Sequence, residues 1–422
     1  MKTLLQINVT ANWGSTGKIA EDIGRLAIEN SFESWIGYGR GNPNSKSNLI
    51  RIGNDFDLKF HGIQTRLFDN HGLASKSVTR NFINKINDIK PDIIHLHNIH
   101  GYFLNYPLLF NYLKEWGGPV VWTLHDCWSF TGHCAHYTYA HCNKWQSHCE
   151  KCPQKKIYPA SLFRDRSFNN FEDKKNSFLG LPNLTLVTVS NWLADQVSKS
   201  FLKDYPIKVI HNGVDLNIFK PVEKITKDYE KKLVLGIANV WSERKGLEEF
   251  KKLRTLLPSN YEILLIGLNK DQIKSLPIGI KGLQRTETVD ELVNYYNMAD
   301  VYVNPSVEET LGMTTIEAMA CGTPVVVYNS TAVPEPVNEN SGFVVDYKNI
   351  NQLAKKIQFV CEEMPFTSSD CRARTEALFD KNNSFQDYIN LYKNLTPPIS
   401  QIAINEILNL LASFVFSERR VA

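Results

Sequence analysis

The feature that most constrains the fold is an alternation of short, uniformly apolar runs with longer segments of helical periodicity. The first half of the chain carries the runs LLQINV, DIIHLH, PVVWTLH, LTLVTVS and IKVIHNG. Such runs predict parallel strands that crossover helices bury on both faces. A second set follows with KLVLGIAN, YEILLIG, KGLQR, DVYVNPS, TPVVVY and GFVVD. The sequence therefore predicts an α/β fold of two doubly wound, Rossmann-like domains in tandem, facing each other across a cleft.

The boundary between the two domains is expected where a helical segment gives way to a charged one. The helix around Trp192–Phe201 ends there, and the stretch Pro221–Lys232 follows. We expect a first domain at 1–208, with a cysteine-rich insertion at about 127–153, and a second domain at 209–376.

Charge and apolar content exclude several classes of protein. In 422 residues, 47 Lys and Arg face 44 Asp and Glu, so the net charge of +3 supplies no footprint for gripping nucleic acid. The first residues, MKTLLQINVT, hold too few apolar side chains for a signal peptide, and no run of about 20 apolar residues predicts a membrane span. We therefore expect a cytoplasmic protein.

A glycine-containing loop, Asn12–Lys18, follows the first strand and opens a helix. Backbone N–H groups at a helix N-terminus can bind an anion. A P-loop would need glycine in place of Asn12 and Ser or Thr in place of Ile19, so an NTPase is rejected. Two interpretations stay open: Gly14 and Gly17 form a phosphate-facing turn, or they form a tight strand-to-helix turn without a ligand.

Polar, titratable side chains stand at the ends of two neighbouring predicted strands, where a cleft would be lined. They are His97, Asn98, His100, His125 and Asp126. A histidine near neutral pKa can exchange hydrogen bonds with a sugar hydroxyl or polarise a reacting group. The alternative is that these side chains only hydrogen-bond loop backbone, and for His95, on the strand itself, we favour that interpretation.

The second half carries two cations and two carboxylates in positions suited to a nucleotide ligand. Arg244 and Lys245 precede a predicted helix and could offset the charge of a diphosphate leaving group. Glu309 ends a strand, and Glu317 lies eight residues on, inside a helix that starts near Gly312. A rise of about 1.5 Å per residue spaces the two carboxylates to address two parts of one elongated ligand.

Together these motifs resemble the retaining glycosyltransferases of family 4, which have the GT-B fold. The resemblance covers nearly all of residues 1–395 and is carried by the Gly14–Gly17 loop, HNGVD at 211–215, RKG at 244–246 and EETLGMTTIEAMACGTPVV at 308–326. The stretches IIHLHNIHGYFLN and TLHDCWSFTGHC further resemble a subgroup of bacterial capsule, exopolysaccharide and O-antigen enzymes. In that subgroup the acceptor is usually a lipid-linked glycan.

The resemblance implies a role for each matching residue. Glu317 would bind the ribose of the donor, Glu309 would contact the donor sugar near the reacting centre, and Lys245 with Arg244 would hold the diphosphate. His125 would face the donor sugar or the acceptor. The expected catalytic residues are His125, Glu309, Arg244 and Lys245, and the further donor contacts are Gly14, Gly17, Asn239, Leu311, Gly312, Met313 and Glu317. Many family members have arginine where this chain has Asn239, and Arg244 is the candidate to replace it.

The first domain is implied to bind the acceptor, and its expected acceptor-side residues are His97, Asn98, His100 and Asp126. A closing helix at 377–395 is implied to cross back to the first domain. The extension at 396–422 has the pattern of an amphipathic helix, which could make peripheral contact with the cytoplasmic face of the inner membrane. It could equally pack on the protein itself or form a dimer contact.

No catalytic metal is expected. The single Asp-X-Asp pattern that stands out, Asp55-Phe56-Asp57, is assigned to a loop. A structural zinc ion is favoured for the thiols Cys134, Cys142, Cys149 and Cys152, which fall within 19 residues and end in C-x-x-C. An iron–sulfur cluster, disulfides and free thiols are the alternatives.

The sequence thus predicts a retaining glycosyltransferase that moves a hexose-type sugar from a UDP- or GDP-sugar to a lipid-linked saccharide in bacterial surface polysaccharide biosynthesis. Three alternatives remain. One is a sugar-nucleotide epimerase or hydrolase of the same fold, and another is a non-catalytic carbohydrate- or nucleotide-binding protein. A zinc-knuckle nucleic-acid binder is disfavoured, because no basic and aromatic stripe surrounds the thiols.

Overall fold

The computed structural model describes residues 1–222 and 231–396. The first half forms a seven-stranded parallel sheet in the order β3-β2-β1-β4-β5-β6-β7. Its strands are β1 (Lys2–Asn8), β2 (Phe32–Tyr38), β3 (Asn48–Arg51), β4 (Ile93–Leu96), β5 (Val120–Leu124), β6 (Leu184–Thr188) and β7 (Ile207–Val209). Its helices are α1 (Gly14–Glu29), α2 (Asp55–Phe68), α3 (Lys76–Ile89), α4 (Tyr106–Trp116), α5 (Ser167–Phe178) and α6 (Asn191–Ser198).

The second half forms a six-stranded parallel sheet in the order β10-β9-β8-β11-β12-β13. The strands are β8 (Lys232–Ile237), β9 (Tyr261–Ile266), β10 (Ile280–Leu283), β11 (Val301–Asn304), β12 (Val325–Tyr328) and β13 (Gly342–Val345). The helices are α7 (Leu247–Leu256), α8 (Lys270–Lys274), α9 (Val289–Met298), α10 (Met313–Ala320), α11 (Ile350–Glu363), α12 (Ser368–Leu378) and α13 (Lys381–Leu395). The predicted pair of doubly wound sheets is confirmed.

Burial explains why the apolar runs identified the central strands. Every residue of β4, β5 and β12 is buried, as expected for strands covered by helices on both faces. The strands β2 and β3 were not predicted, because each mixes polar and half-exposed residues with its apolar ones. β7 ends at Val209, one residue beyond the predicted end of the first domain, and the placement of the domain boundary stays a prediction.

The last helix, α13, returns to the first sheet. Its side chains Phe385, Tyr388, Ile389 and Tyr392 are buried in one apolar cluster with residues of β1, α1 and β4. Arg372 of α12 donates hydrogen bonds to the carbonyl groups of Leu216 and Phe219, which lie between the two sheets, and to that of Ala320 at the end of α10. Residues 397–422, which include nearly all of the expected amphipathic tail, lie outside the described residues.

Two further findings concern expectations from the sequence. Asp55-Phe56-Asp57 lies in the first turn of α2 and not in a loop, because Asn54 and Asp57 form a reciprocal cap of that helix. None of the helices within the described ranges is long and apolar enough to cross a membrane.

Candidate active site

The loop after β8 presents the two candidate cations of the second domain. Arg244 and Lys245 lie in a short helical turn that ends at Gly246. Gly246 has a φ of +79°, and a Cβ there would come within 2.6 Å of the Pro305 carbonyl oxygen. Only glycine tolerates both the positive φ and the short distance to Pro305. Gly246 therefore fixes the backbone turn that orients the side chains of the two cations.

Glu309 is the partner of both cations. Its carboxylate accepts a hydrogen bond from the Lys245 ammonium, and its second oxygen lies 3.7 Å from the Arg244 guanidinium. Burial acts to raise the pKa of Glu309, but Lys245, Arg244 and a hydrogen bond from Ser306 outweigh it and lower the pKa below its ordinary value. The candidate cations and the candidate carboxylate are therefore one compact, ionised group.

Glu317 has a different environment. It lies in α10 and accepts a hydrogen bond of 2.7 Å from the Tyr296 hydroxyl. Burial raises its pKa to about 7, although that hydrogen bond and the charge of Lys18 act to lower it. Lys18 follows Gly17 in the first domain, so the glycine loop faces this glutamate across the cleft.

The segment between the two glutamates forms the start of α10. Gly312, at the N-cap, has a φ of +82°, which a side chain would strain, and the backbone N–H groups that follow it begin the helix. Leu311 is buried and Met313 is half-buried. Asn239 is exposed in the loop that follows β8.

The glycine loop of the first domain has one open and one crowded position. Gly14 has a φ of +66° and open space where a Cβ would be, whereas a Cβ on Gly17 would lie 2.6 Å from the Thr10 hydroxyl. Gly17 is therefore needed for close packing between the loop and α1. Gly14 leaves the exposed side of the loop free for a ligand.

The first-domain histidines form a connected group. His97 Nδ1 lies 3.2 Å from His125 Nε2, and His97 Nε2 lies 3.0 Å from the Gln6 amide oxygen. Burial lowers the pKa of His125 to about 4 and that of His97 well below its ordinary value. Both rings are therefore neutral near pH 7.

A second pair lies beside them. His100 Nε2 is 3.0 Å from an Asp126 carboxylate oxygen, and His100 Nδ1 is 2.9 Å from the Tyr158 hydroxyl. Burial acts to raise the pKa of Asp126, but His100 outweighs it and lowers that pKa to about 2. One small cavity at this edge of the sheet is lined by all the predicted acceptor-side residues and the catalytic candidate beside them, namely His97, Asn98, His100, His125 and Asp126.

His95 has the structural role that the sequence favoured. Its two ring nitrogens lie 2.5 Å from the Tyr392 hydroxyl and 2.8 Å from the Thr123 hydroxyl. It is fully buried beneath α13 and has no path to a ligand.

Contacts across the cleft bring the two sets of candidates together. The Thr310 hydroxyl, next to Glu309, donates a hydrogen bond of 3.0 Å to the backbone oxygen of His125.

Sequence reasoning missed Lys18, Ser306 and Tyr296, which act on the two glutamates. Only Lys18 left a signal in the sequence, because it follows the glycine loop directly.

The four candidate metal thiols line one small cavity. Cys134, Cys142, Cys149 and Cys152 all face it, and Cys149 Sγ accepts a hydrogen bond of 3.2 Å from the Gly132 N–H group. None of the eight cysteines, all of which lie within the described residues, forms a disulfide. Within residues 1–222 and 231–396, no three or more His, Cys, Asp or Glu side chains are grouped so that they could hold a metal ion.

A larger cavity, of about 980 Å³, lies elsewhere on the first domain, between α2, α3, α4 and α5. Phe56 and Phe60 at its wall are exposed and stacked, with ring centroids 6.3 Å apart. The cations Lys76, Arg80 and Arg166 also line it. The carboxylates Asp57 and Asp173 line it as well, and Arg166 lies 3.2 Å from Asp173, so the cavity combines an aromatic surface with charges of both signs.

Comparisons with known proteins match both halves of the chain. Residues 53–218 match the family model described as Glycosyltransferase Family 4, and residues 231–363 match the model described as Glycosyl transferases group 1. The putative colanic acid biosynthesis glycosyl transferase WcaC of Escherichia coli K12 is 24% identical over 418 residues, which cover 93% of this chain and all of that protein.

Two further comparisons are informative. An N,N'-diacetylbacillosaminyl-diphospho-undecaprenol alpha-1,3-N-acetylgalactosaminyltransferase of Campylobacter jejuni is 28% identical over 45% of this chain and 55% of its own length. The structure of Alr3699/HepE of Anabaena in complex with UDP-glucose superposes with a TM-score of 0.63 at 15% identity, covering 93% of this chain and all of that one. The structural likeness confirms the expected GT-B fold.

Proposed function

Because both halves of the chain match glycosyltransferase family models, we propose that it transfers a hexose-type sugar from a UDP- or GDP-sugar to a lipid-linked saccharide, with retention of anomeric configuration. The observation that carries this proposal is the ionised group of Glu309, Lys245 and Arg244, which faces the first domain across the cleft. A diphosphate and a sugar are the two chemical parts that such a group fits.

The reaction breaks the bond between the anomeric carbon and a diphosphate oxygen. The acceptor oxygen bonds to that carbon, and its proton is released. Negative charge develops on the departing diphosphate, and Lys245 with Arg244 would stabilise it because the protein already holds both cations in place. Glu309 would then contact the sugar near the reacting centre, as the family resemblance implies.

The ribose of the donor would bind Glu317. With a pKa raised to about 7, its carboxyl group is partly protonated at neutral pH and can both donate to and accept from neutral ribose hydroxyls. Tyr296 fixes the orientation of the carboxyl group by its hydrogen bond. Lys18, Gly14 and the N-terminus of α10 would lie around the diphosphate.

The acceptor would bind on the first-domain side. The cavity lined by His97, Asn98, His100, His125 and Asp126 offers the neutral imidazoles of His97 and His125 and the ionised carboxylate of Asp126 to sugar hydroxyls. The exposed aromatic rings of the larger cavity support an acceptor with an apolar chain, and Lys76 and Arg80 at its wall could contact a phosphate. The Campylobacter relative, whose name gives a diphospho-undecaprenol acceptor, supports the same class.

The cysteine cluster is proposed to bind a structural zinc ion. Support comes from the spacing of the four thiols, from the cavity that they all face and from the absence of any disulfide among the described cysteines. The thiols would have to move closer together to bind the ion, because they do not form a metal-binding group in the described structure. Metal analysis of protein purified without chelator should give close to one zinc per chain, and Cys149→Ser should lower it. A content below about 0.3 zinc per chain would contradict the proposal, because a four-thiolate site holds zinc tightly.

The proposed location is the cytoplasm or the cytoplasmic face of the inner membrane, where unpaired thiols persist. Residues 397–422 are proposed to make the peripheral contact. Deleting them should shift the protein from the membrane fraction to the soluble fraction, and unchanged partitioning would contradict the membrane role.

The central experiment is a thermal-shift panel with UDP, GDP, UDP-glucose, UDP-galactose and GDP-mannose. A donor at about 100 times its dissociation constant should stabilise the protein by about 2.7 kcal/mol. The shift should be selective for one base and absent in Glu317→Ala and Lys245→Ala. No shift with any nucleotide would contradict the proposal, and rapid donor turnover without an acceptor would indicate a hydrolase instead.

A further inference from the structure

Glu308, the neighbour of Glu309 in the sequence, does not face the candidate donor site. Its side chain is fully buried and crosses to the first domain. One carboxylate oxygen accepts a hydrogen bond of 3.0 Å from the Tyr137 N–H group, and the other accepts one of 3.1 Å from the Tyr139 N–H group. Burying a carboxylate costs free energy that only such hydrogen bonds offset, so this contact is specific to the closed arrangement of the domains.

The residue on the other side of Glu309 behaves in the same way. The Thr310 hydroxyl donates to the His125 carbonyl oxygen, and the next side chain, Leu311, is buried in the main apolar cluster of the first domain. The Glu308 carbonyl oxygen also accepts a hydrogen bond from Arg244. Glu309 is therefore bracketed by two residues that are both anchored across the cleft.

This bracket has a chemical reason. In the structure, Lys245 and Arg244 hold the Glu309 carboxylate. When Lys245 and Arg244 bind a diphosphate, they are shared between that ligand and Glu309. The position of the Glu309 carboxylate then depends on the position of the Glu309 backbone. The Glu309 backbone binds the Thr331 hydroxyl at 2.9 Å and the Ala332 N–H group at 3.3 Å, and the anchors on either side add a restraint from the first domain. An error of about 1 Å in such a group can cost about a hundredfold in rate.

We propose that Glu308 is a positioning residue, which sets Glu309 against the donor sugar by binding the Tyr137 and Tyr139 N–H groups when the two domains are closed. This inference rests on the proposed function, because it takes the donor sugar as the partner of Glu309. The cysteine-rich segment supplies both N–H groups, so it would help to set the geometry of the donor site.

The test is Glu308→Gln, in which the amide nitrogen cannot accept a hydrogen bond, so that at most one of the two N–H groups keeps its partner. The probes are whichever nucleoside diphosphate and nucleotide sugar of the thermal-shift panel bind wild type. The dissociation constant of the nucleotide sugar should rise by about tenfold, or ~1.4 kcal/mol. That of the nucleoside diphosphate should change by less than about twofold. A merely structural defect would weaken both ligands alike, and equal weakening would overturn the proposal.

Glu335→Gln is the matched control. Glu335 is a second carboxylate that crosses the cleft, accepting hydrogen bonds of 2.8 Å and 3.2 Å from the Asn191 and Trp192 N–H groups, but it is not next to Glu309. It should leave both constants within about twofold of wild type. If Glu335→Gln weakens the nucleotide sugar as strongly as Glu308→Gln, the effect belongs to domain closure in general and the proposal is overturned.

Thr310→Val keeps the test decisive if Glu308→Gln does not fold. This variant removes only the hydroxyl that binds His125, and it should weaken the nucleotide sugar selectively by about threefold. Selective weakening supports the bracket, and its absence overturns it. If wild type binds no nucleotide, the proposed function fails and this inference fails with it, whereas nucleotide binding without selective loss refutes the positioning role alone.

Discussion

Glu309 and Glu317 belong to one short motif, yet their surroundings drive them in opposite directions. Glu309 lies beside Lys245 and Arg244, and its pKa falls below the ordinary value. Glu317 lies in α10, against the hydroxyl of Tyr296, and burial raises its pKa to about 7. Since the residue type is the same, the environment alone makes one carboxylate a permanent charge and the other a titrating group.

The difference in pKa suits the two carboxylates to different parts of one nucleotide-sugar ligand. A charged group with paired cations suits the end of a donor where charge develops, and a group near its own pKa suits neutral hydroxyls that donate as well as accept. The predictions that follow test this separation.

The largest effect is expected at the charged end. Lys245→Ala removes one of two cations from the site of the leaving diphosphate and should lower sugar transfer by about 10²- to 10³-fold, measured as donor turnover with an acceptor extract. Lys252→Ala is the control, because Lys252 is an exposed lysine of α7 that pairs with Glu249 at 3.0 Å. Similar rates for the two variants would show that the charged group is not part of the reaction.

The two conservative glutamate variants should differ next most strongly. Glu309→Gln removes the charge that holds two cations and should reduce turnover by about a hundredfold. Glu317→Gln imitates a protonated carboxyl group and should reduce it by less than about tenfold. Steady-state rates at saturating donor measure both. Equal losses in the two variants would contradict the distinction drawn between the two sites.

A smaller effect is expected in the pH dependence of stability. The pKa of Glu317 is raised in the folded state, so the folded protein binds the proton more tightly and loses stability as pH rises from about 4.5 to about 7. Glu317→Gln should therefore melt close to wild type at pH 5 and about 2–4 °C above it at pH 8. Thermal melting curves across this range measure the difference, and a gap that narrows with rising pH would show that the carboxyl group is not destabilised by burial.

The pKa of Glu309 is shifted in the opposite direction, so Glu309 serves as the internal control for the pH dependence of stability. Its lowered pKa contributes stability above the unfolded value and loses it as pH falls through the folded value. Glu309→Gln should be less stable than wild type at neutral pH, and the deficit should shrink in acid.

The smallest effect is expected from the first-domain histidines. Because burial lowers the pKa of His125 to about 4, its protonation does not change between pH 6 and pH 8. The dependence of kcat/KM on pH should therefore be the same in wild type and in His125→Gln over this range, even though the absolute rate differs. A wild-type inflection near pH 6.5 that His125→Gln removes would show that this imidazole titrates during turnover.

The sequence predicted those parts of the molecule that local chemistry determines. The central strands were identified because nearly all of their residues are apolar and buried. The strands β2 and β3 escaped because Glu33, Ser34 and Arg51 interrupt their apolar pattern. The pairing of β2 with β1 and of β3 with β2 depends on the sheet as a whole and not on the composition of these two strands.

The sequence predicted only those residues of the candidate site that form a recognisable side-chain motif. Glu309, Glu317 and Lys245 could be named because their spacing forms a motif. Glu308 could not, because its hydrogen-bond donors are two backbone N–H groups about 170 residues away in the sequence, and a backbone group leaves no side-chain signal. His136 Nδ1 also lies 3.7 Å from its carboxylate, but it is equally distant in the sequence. The raised pKa of Glu317 could not be predicted from the sequence either, since it depends on how α9 and α10 pack.

The return of α13 to the first sheet affects how the chain reaches its folded state during synthesis. Tyr392 binds His95 and Tyr388 binds Thr123, which are made 297 and 265 residues earlier in the chain. Until the last helix is made, one face of the first sheet lacks its cover, and its polar side chains face water. The second domain, in contrast, can complete its own core as it emerges, so we expect the domain that is translated first to finish folding last.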